Sequence, residues 1–276
     1  MNIKNVLIIS LIFIFGASIS CCKKNDGITN PDTSSVKKDS IIPPAGYKLV
    51  WNDEFNGTSI DTSKWNYEVN GDGGGNNELE YYTALPENSF IQDSCLIIKA
   101  LKKTYNGKDY TSARLNSSGK GDWKYGRFEV RAKLPYGQGL WPAIWMLPTD
   151  WVYGGWPSSG EIDIMEELGH QANKVYGTIH YGNPHQQQGG NYTLPTGYFL
   201  SNFHVFALEW DSTSISIFVD SVKYFTTKIT KPFDQRFHFV LNVAVGGNWP
   251  GSPDYTTVFP QQMTIDYVRV FQKISN

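Results

Sequence analysis

Arg127-Phe128-Glu129-Val130-Arg131-Ala132-Lys133-Leu134 alternates charged and apolar residues for eight positions without a break. Successive side chains of a β-strand point to opposite faces, whereas a helix gathers its apolar residues every three or four positions. The segment is therefore predicted as a strand between core and water, with Phe128, Val130, Ala132 and Leu134 pointing in and the four charged residues pointing out. On either side, turn residues punctuate short runs of β-branched and aromatic residues, and further strands are predicted at 203–210, 214–219, 237–245 and 263–271. No long segment carries a 3.6-residue apolar period, and no repeat of propeller or solenoid length is visible. The expected fold class is all-β: a two-sheet antiparallel β-sandwich, or jelly roll, rather than a closed barrel. A chain of 276 residues has room for one large domain of this kind.

The first residues read differently. Lys4 supplies a positive start, Val6 to Phe15 an apolar stretch too short to span a bilayer, and Gly16 to Ser20 a run of mostly small residues before Cys21-Cys22. Residues 1–22 are expected to be a lipoprotein-type signal peptide, with Cys21 or Cys22 as the lipidated residue. Ser18 stands where a lipobox usually has Leu if Cys21 is modified, and an ordinary cleaved signal is the alternative. Residues 23–46 lack periodicity and are rich in Pro, Ser, Asp and Lys, as expected of a flexible tether. A single folded domain is then expected over 47–276. Cys95 is the one cysteine within it, which rules out a disulfide inside the domain and suits a small buried apolar residue. Such a chain is expected to be exported and held at the bacterial cell envelope, or secreted, meeting a membrane only through its lipid anchor.

A formal net charge of −2 supplies no basic footprint for nucleic acid, so an uncharged partner fits better. Nine Trp and sixteen Tyr leave two readings, a densely aromatic core or stacking platforms for sugar rings.

Gly160-Glu161-Ile162-Asp163-Ile164-Met165-Glu166-Glu167 carries the chemistry. On a regular strand Glu161 and Asp163 share a face and Glu166 falls on the other. A β-bulge after Asp163 inserts one extra residue and returns Glu166 to the face of the first two acids. Crowded acids raise the pKa of at least one of their number. A retaining glycosidase needs that imbalance, because one ionised carboxylate attacks the anomeric carbon while a protonated one about 5–5.5 Å away donates to the leaving oxygen. Glu161 and Glu166 are the natural pair, with Asp163 placed to orient Glu161. The same acids also suit a hard cation bound through oxygen. Glu167 is expected to face the opposite way.

Around that strand the sequence resembles glycoside hydrolase family 16, in particular its laminarinase-like branch with the E-x-D-x-x-E strand. Gly139-Leu140-Trp141-Pro142-Ala143-Ile144-Trp145-Met146 is similar to the family's G-x-W-P-A-x-W-M segment, Tyr125-Gly126-Arg127-Phe128-Glu129 to its Y-G-R-x-E strand, and Gly246-Gly247-Asn248-Trp249-Pro250-Gly251 to its G-G-N-W-P-G loop. The likeness runs from about Leu49 to Phe271. It implies a jelly roll with an open substrate cleft on its concave sheet, with Glu161 as nucleophile, Asp163 as assisting residue and Glu166 as acid/base. It implies substrate contacts for Trp141, Trp145, His180, Asn77, Arg114, Asn248 and Trp249. His180 by itself is as well explained as a satisfied structural histidine; for Trp141 and Trp145 cleft stacking is the favoured reading and core packing its alternative.

The resemblance also implies a structural Ca²⁺ on the convex side, held by Glu54 and Asp266, although Asp53 and Glu54 suit strand-end surface acids equally well. No cofactor is expected for catalysis. Glu80 stands where many relatives have Gln, which exchanges a two-way hydrogen-bonding amide for a carboxylate acceptor and would shift subsite preference if it touches sugar. The expected activity is endo-hydrolysis of the polysaccharide β-1,3-glucan (laminarin-type), with mixed β-1,3/1,4-glucan as a further substrate, by a monomer. Hydrolysis of a red-algal galactan of the agarose type is the alternative within enzymes, and a non-catalytic glycan-binding protein the alternative outside them.

Overall fold

A computed structural model describes residues 41–274. The signal peptide, most of the tether and both candidate lipidation sites, Cys21 and Cys22, lie outside the described residues. The first strand opens at Tyr47.

Two eight-stranded sheets face each other. In the first, the order is Val222–Thr227, Ile215–Val219, His204–Trp210, Gly126–Lys133, Gln261–Lys273, Cys95–Ala100 and Ser89–Gln92, with Tyr47–Asp53 added along Gln261–Lys273. In the second, it is Gln186–Thr193, Lys174–Tyr181, Glu161–Glu167, Leu140–Pro148, Phe237–Val245, Arg114–Asn116 and Asn66–Glu68, with Asp122–Trp123 against Phe237–Val245. Pairing within both sheets is antiparallel. A short parallel pair, Glu80–Tyr82 with Tyr110–Ser112, stands apart. Among the described residues the helical structure is a single 3₁₀ turn, Gly169–Gln171. The sandwich expected from the alternation is thus the observed architecture, and the four predicted strands lie within a residue or two of their expected bounds.

The inward residues of the two sheets form one core. Phe128, Val130, Ala132 and Leu134 join Ile144, Met146, Ile162, Ile164, Phe239 and Leu241 in a single buried cluster. Trp123, Phe128 and Phe239 meet edge to face at its centre, with ring centroids 5.8–6.0 Å apart, a geometry that aligns ring edges with π-faces. Cys95 is buried and unpaired.

The bulge lies where the spacing of the acids requires it. Asp163 pairs with Thr178 and Glu166 with Tyr176, so Ile164 and Met165 together oppose Gly177. Both extra-residue side chains are buried in the core, and the acids on either side emerge on the outer face. Tyr224 reaches across from the first sheet and donates its hydroxyl to the carbonyl of Ile164 at 3.2 Å, which satisfies a backbone acceptor that the ladder leaves open. That approach depends on glycine at 177, where a Cβ would stand 2.6 Å from the Tyr224 hydroxyl and 2.9 Å from Ile217. Gly177→Ala is accordingly expected to destabilise the protein by about 1–3 kcal/mol through overpacking and to lower kcat with it, since the bulge carries Glu166. Thermal unfolding and initial rates check this; an unchanged Tm would show that Tyr224 does not hold the bulge.

Candidate active site

The outer face of the second sheet forms a cleft of about 820 Å³. Alternation along each strand supplies its floor. Trp141, Ala143 and Trp145 come from Leu140–Pro148, the three acids from Glu161–Glu167, and Tyr176, Thr178 and His180 from Lys174–Tyr181. Arg114 lines one side, and the loop residues Trp156 and Trp249 rise at different ends of the acid row.

Each acid has a different set of partners. Glu161 Oε2 accepts the indole N–H of Trp156 at 2.8 Å, and His180 Nε2 stands 4.0 Å from its Oε1. Asp163, 2% exposed, has His180 Nε2 3.2 Å from Oδ2. Glu166 Oε1 accepts the indole N–H of Trp141 at 3.0 Å. Burial raises all three pKa values. Glu161 is pushed up to about 8 by burial and by the charge of Asp163, against the opposing pull of His180, the Trp156 hydrogen bond and Arg114. Asp163 is pushed up to about 8 by burial, opposed by its hydrogen bond with Glu161. Glu166 is held well above the usual carboxylate range by burial and by the charges of both other acids, with Trp141 and His180 as its compensating neighbours.

Three carboxyls in one buried row cannot all ionise cheaply. Glu161 has the fuller set of stabilising partners, two of them positive or able to become so, and is the group best equipped to carry the negative charge. Glu166 feels both of its neighbours' charges and is the group best equipped to keep a proton. The division of labour follows from environment, as for paired carboxyls with distinct roles elsewhere.

Trp141 and Trp145 are both half-buried and line the cleft. Their indole nitrogens are tied down: Trp145 donates to Asn242 Oδ1 at 2.7 Å, and the Arg114 guanidinium lies over the Trp145 ring at 4.6 Å. Trp249 meets Trp141 and Tyr176 edge to face at 5.6 and 5.0 Å. Asn77 and Asn248 are exposed and bonded to each other, Nδ2 to Oδ1 at 2.8 Å. They brace the rim; the lining positions fall to their neighbours Asn76, Glu78 and Trp249. Glu167 faces away, as expected, and is fully buried.

Glu80 and the implied calcium ligands find partners within the protein. Glu80 does not reach sugar: it is 1% exposed behind the cleft, where its Oε2 accepts the backbone N–H of Val245 at 2.6 Å. Burial and the charge of Glu78 hold its pKa well above the usual range. Glu78 in turn accepts from Tyr82 at 2.9 Å, and Tyr82 accepts from Asn242 at 3.1 Å, so the pair supports the Trp145 platform from below. A carboxyl whose pKa rises on folding contributes stability below its unfolded pKa, and that contribution is lost as pH rises towards the folded value. Glu80→Gln keeps a neutral donor and an acceptor without the titration. Its Tm relative to wild type is therefore expected to climb by about 3–6 °C between pH 5 and pH 9; a difference constant with pH would show that Glu80 does not hold its proton in the fold.

Glu54 is gripped by Arg269 through two hydrogen bonds of 2.9 Å, and Asp266 is paired with Arg131. With a guanidinium against each carboxylate, these residues do not fit a cation held between them.

Sequence reasoning missed Trp156, Tyr176, His185 and Asn242. Tyr176 was legible in principle, because it shares His180's face by the two-residue period. Trp156 sits in Gly154-Gly155-Trp156-Pro157 just ahead of the acid strand, a loop composition that signals an exposed aromatic. Nothing in the chain near His185 or Asn242 announces the contacts they make across strands and loops.

An open cleft with a floor of aromatic rings and two crowded carboxyls with unlike partners is the equipment of a glycoside hydrolase. The chain belongs to the glycosyl hydrolases of family 16, whose model matches residues 80–269. It is 45% identical to a β-glucanase of Rhodothermus marinus over 246 residues, covering 82% of this chain and 85% of that protein. A laminarinase structure from the same organism superposes with a TM-score of 0.79 at 44% identity, covering 83% of this chain and 98% of that one. A non-specific endo-β-1,3(4)-glucanase of the family superposes with a TM-score of 0.77 at 39% identity, covering 85% and 94%.

Proposed function

We propose that the protein is an endo-acting, retaining β-1,3-glucanase of the laminarinase type that also accepts mixed β-1,3/1,4-glucan. The observation that carries this reading is the bulge, which brings Glu161 and Glu166 to one face and gives them unlike partners. The ionised Glu161 attacks the anomeric carbon and forms a covalent glycosyl–enzyme intermediate. Glu166 delivers its proton to the departing glycosidic oxygen, then takes one from the water that releases the sugar, and net retention follows from the two displacements. Asp163 orients Glu161 together with His180. The rings of Trp141, Trp145 and Trp249 give sugar faces a stacking surface, and their fixed N–H groups keep that surface in place. The relatives' activities on β-1,3- and β-1,3(4)-glucan support the choice of substrate. No group beyond these side chains is called on for catalysis.

Export and anchoring through Cys21 or Cys22 on a tether over 23–46 belong to the same proposal, as does a monomeric state. Incorporation of labelled fatty acid, lost when the modified cysteine is replaced by Ser, tests the anchor. For Glu54 and Asp266 we propose ion pairing with Arg269 and Arg131 in place of a calcium role.

The test of function is a product time course on laminarin, barley mixed-linkage glucan, agarose and xylan in parallel. Internal cuts in laminarin support the reading. Cuts confined to agarose would reassign the enzyme to galactan, and binding without cleavage would make it a glycan-binding protein.

A further inference from the structure

The cation reading of the acid strand, framed on oxygen donors alone, changes once the neighbouring strand is in place. Glu161, Asp163 and His180 each offer one donor atom, and the three atoms lie within 4.8 Å of one another. Donors bound at about 2.0 Å around a tetrahedral centre stand ~3.3 Å apart, which His180 Nε2 and Asp163 Oδ2 meet at 3.2 Å and His180 Nε2 and Glu161 Oε1 approach at 4.0 Å. Buried Asp163 Oδ2 makes no hydrogen bond, although the ring nitrogen is so close.

The far side of each outer ligand is already held. His180 Nδ1 is 2.9 Å from His185 Nε2, and Glu161 Oε2 is bonded to Trp156. His185 itself rests on the Trp156 ring, with centroids 5.0 Å apart. Metal-binding histidines depend on such a partner at the second ring nitrogen, which selects the tautomer and fixes the ring. In the tautomer that donates Nδ1–H to His185, the Nε2 lone pair of His180 faces the carboxylates. One imidazole nitrogen and two carboxylate oxygens, with a fourth direction open to the cleft, suit Zn²⁺ and similar borderline cations, whereas Ca²⁺ takes six or more oxygens.

We propose that Glu161, Asp163 and His180 form a binding site for a divalent transition cation of the zinc class, supported by His185, and that the bound cation inhibits the enzyme by covering Glu161. Binding rests on the geometry alone; inhibition rests on Glu161 being the nucleophile.

Calorimetric titration of the full-length protein with ZnCl₂ in a non-chelating buffer tests the site. The expected result is binding at one ion per chain, weakened about 10–100-fold by His185→Ala and at least as strongly by His180→Gln, with inhibition of laminarin cleavage that rising substrate relieves. Unfolding scans of both variants establish that they are folded, and His185, in a surface loop, is replaceable without loss of core. Zinc affinity unchanged in both variants overturns the proposal, as does inhibition that substrate does not relieve. Calorimetry reads binding without any need for turnover, so a failure of the glucanase reading would show in the product time course while the cation site is still scored.

Discussion

Glu161→Gln is expected to reduce cleavage of laminarin by about 10³-fold or more, while Tm and glucan affinity stay close to wild type. The amide keeps the volume of the side chain and an oxygen for the Trp156 N–H, now at 2.8 Å from Glu161 Oε2. What it lacks is the anionic oxygen that forms the bond to the anomeric carbon. Removing one of three crowded acids also relieves repulsion on Asp163 and Glu166, so the fold has no reason to weaken. Steady-state rates on laminarin, a binding isotherm and a thermal scan measure the three quantities. A variant retaining more than a few per cent of activity would remove Glu161 from the nucleophile's role.

Glu166→Gln is expected to behave differently and in a way that depends on the leaving group. On laminarin the rate should drop about 10²–10⁴-fold, the usual contribution of a positioned acid/base. On an aryl β-1,3-oligoglucoside with a good leaving group the first displacement needs no proton, so a burst of phenol should precede a slow steady state as the intermediate accumulates. Azide, which needs no general base, should then restore turnover and yield a glycosyl azide of retained configuration. Product of inverted configuration, or equal losses on both substrates without rescue, would exchange the roles of Glu161 and Glu166 or remove Glu166 from proton transfer. Trp141 keeps its acceptor in this variant, since the amide oxygen can take the N–H that now lies 3.0 Å from Glu166 Oε1.

Much of this architecture was legible residue by residue. The eight-position alternation from Arg127 to Leu134 specified a strand with one dry face, and the same period in its neighbours specified a sandwich. The three-residue step from Asp163 to Glu166 cannot keep both acids on one face of a regular strand, so it called for a bulge, and the register shift opposite Gly177 is that bulge. These inferences succeed because side-chain direction along a strand is a local property of the backbone. The cleft tryptophans were legible as a pair for the same reason, four residues apart on one strand.

Glu80 shows where that reasoning stops. Its position in the strand did not say whether its outer side meets sugar or protein, and the backbone of Val245, 165 residues away, decides it. Glu54 and Asp266 are likewise acids whose partners, Arg269 and Arg131, are chosen by strand pairing. His185 becomes part of the site only because a turn folds it back on His180 and Trp156. By itself, then, the sequence determined the all-β class, the bulged acid strand and the chemistry of its three carboxyls, all set by spacing along one strand. The tertiary structure alone decided which partners each carboxyl meets, which acids are neutralised by arginine and which aromatic rings stand over the acids. Those depend on burial and on partners brought together through space, and no local period encodes either one.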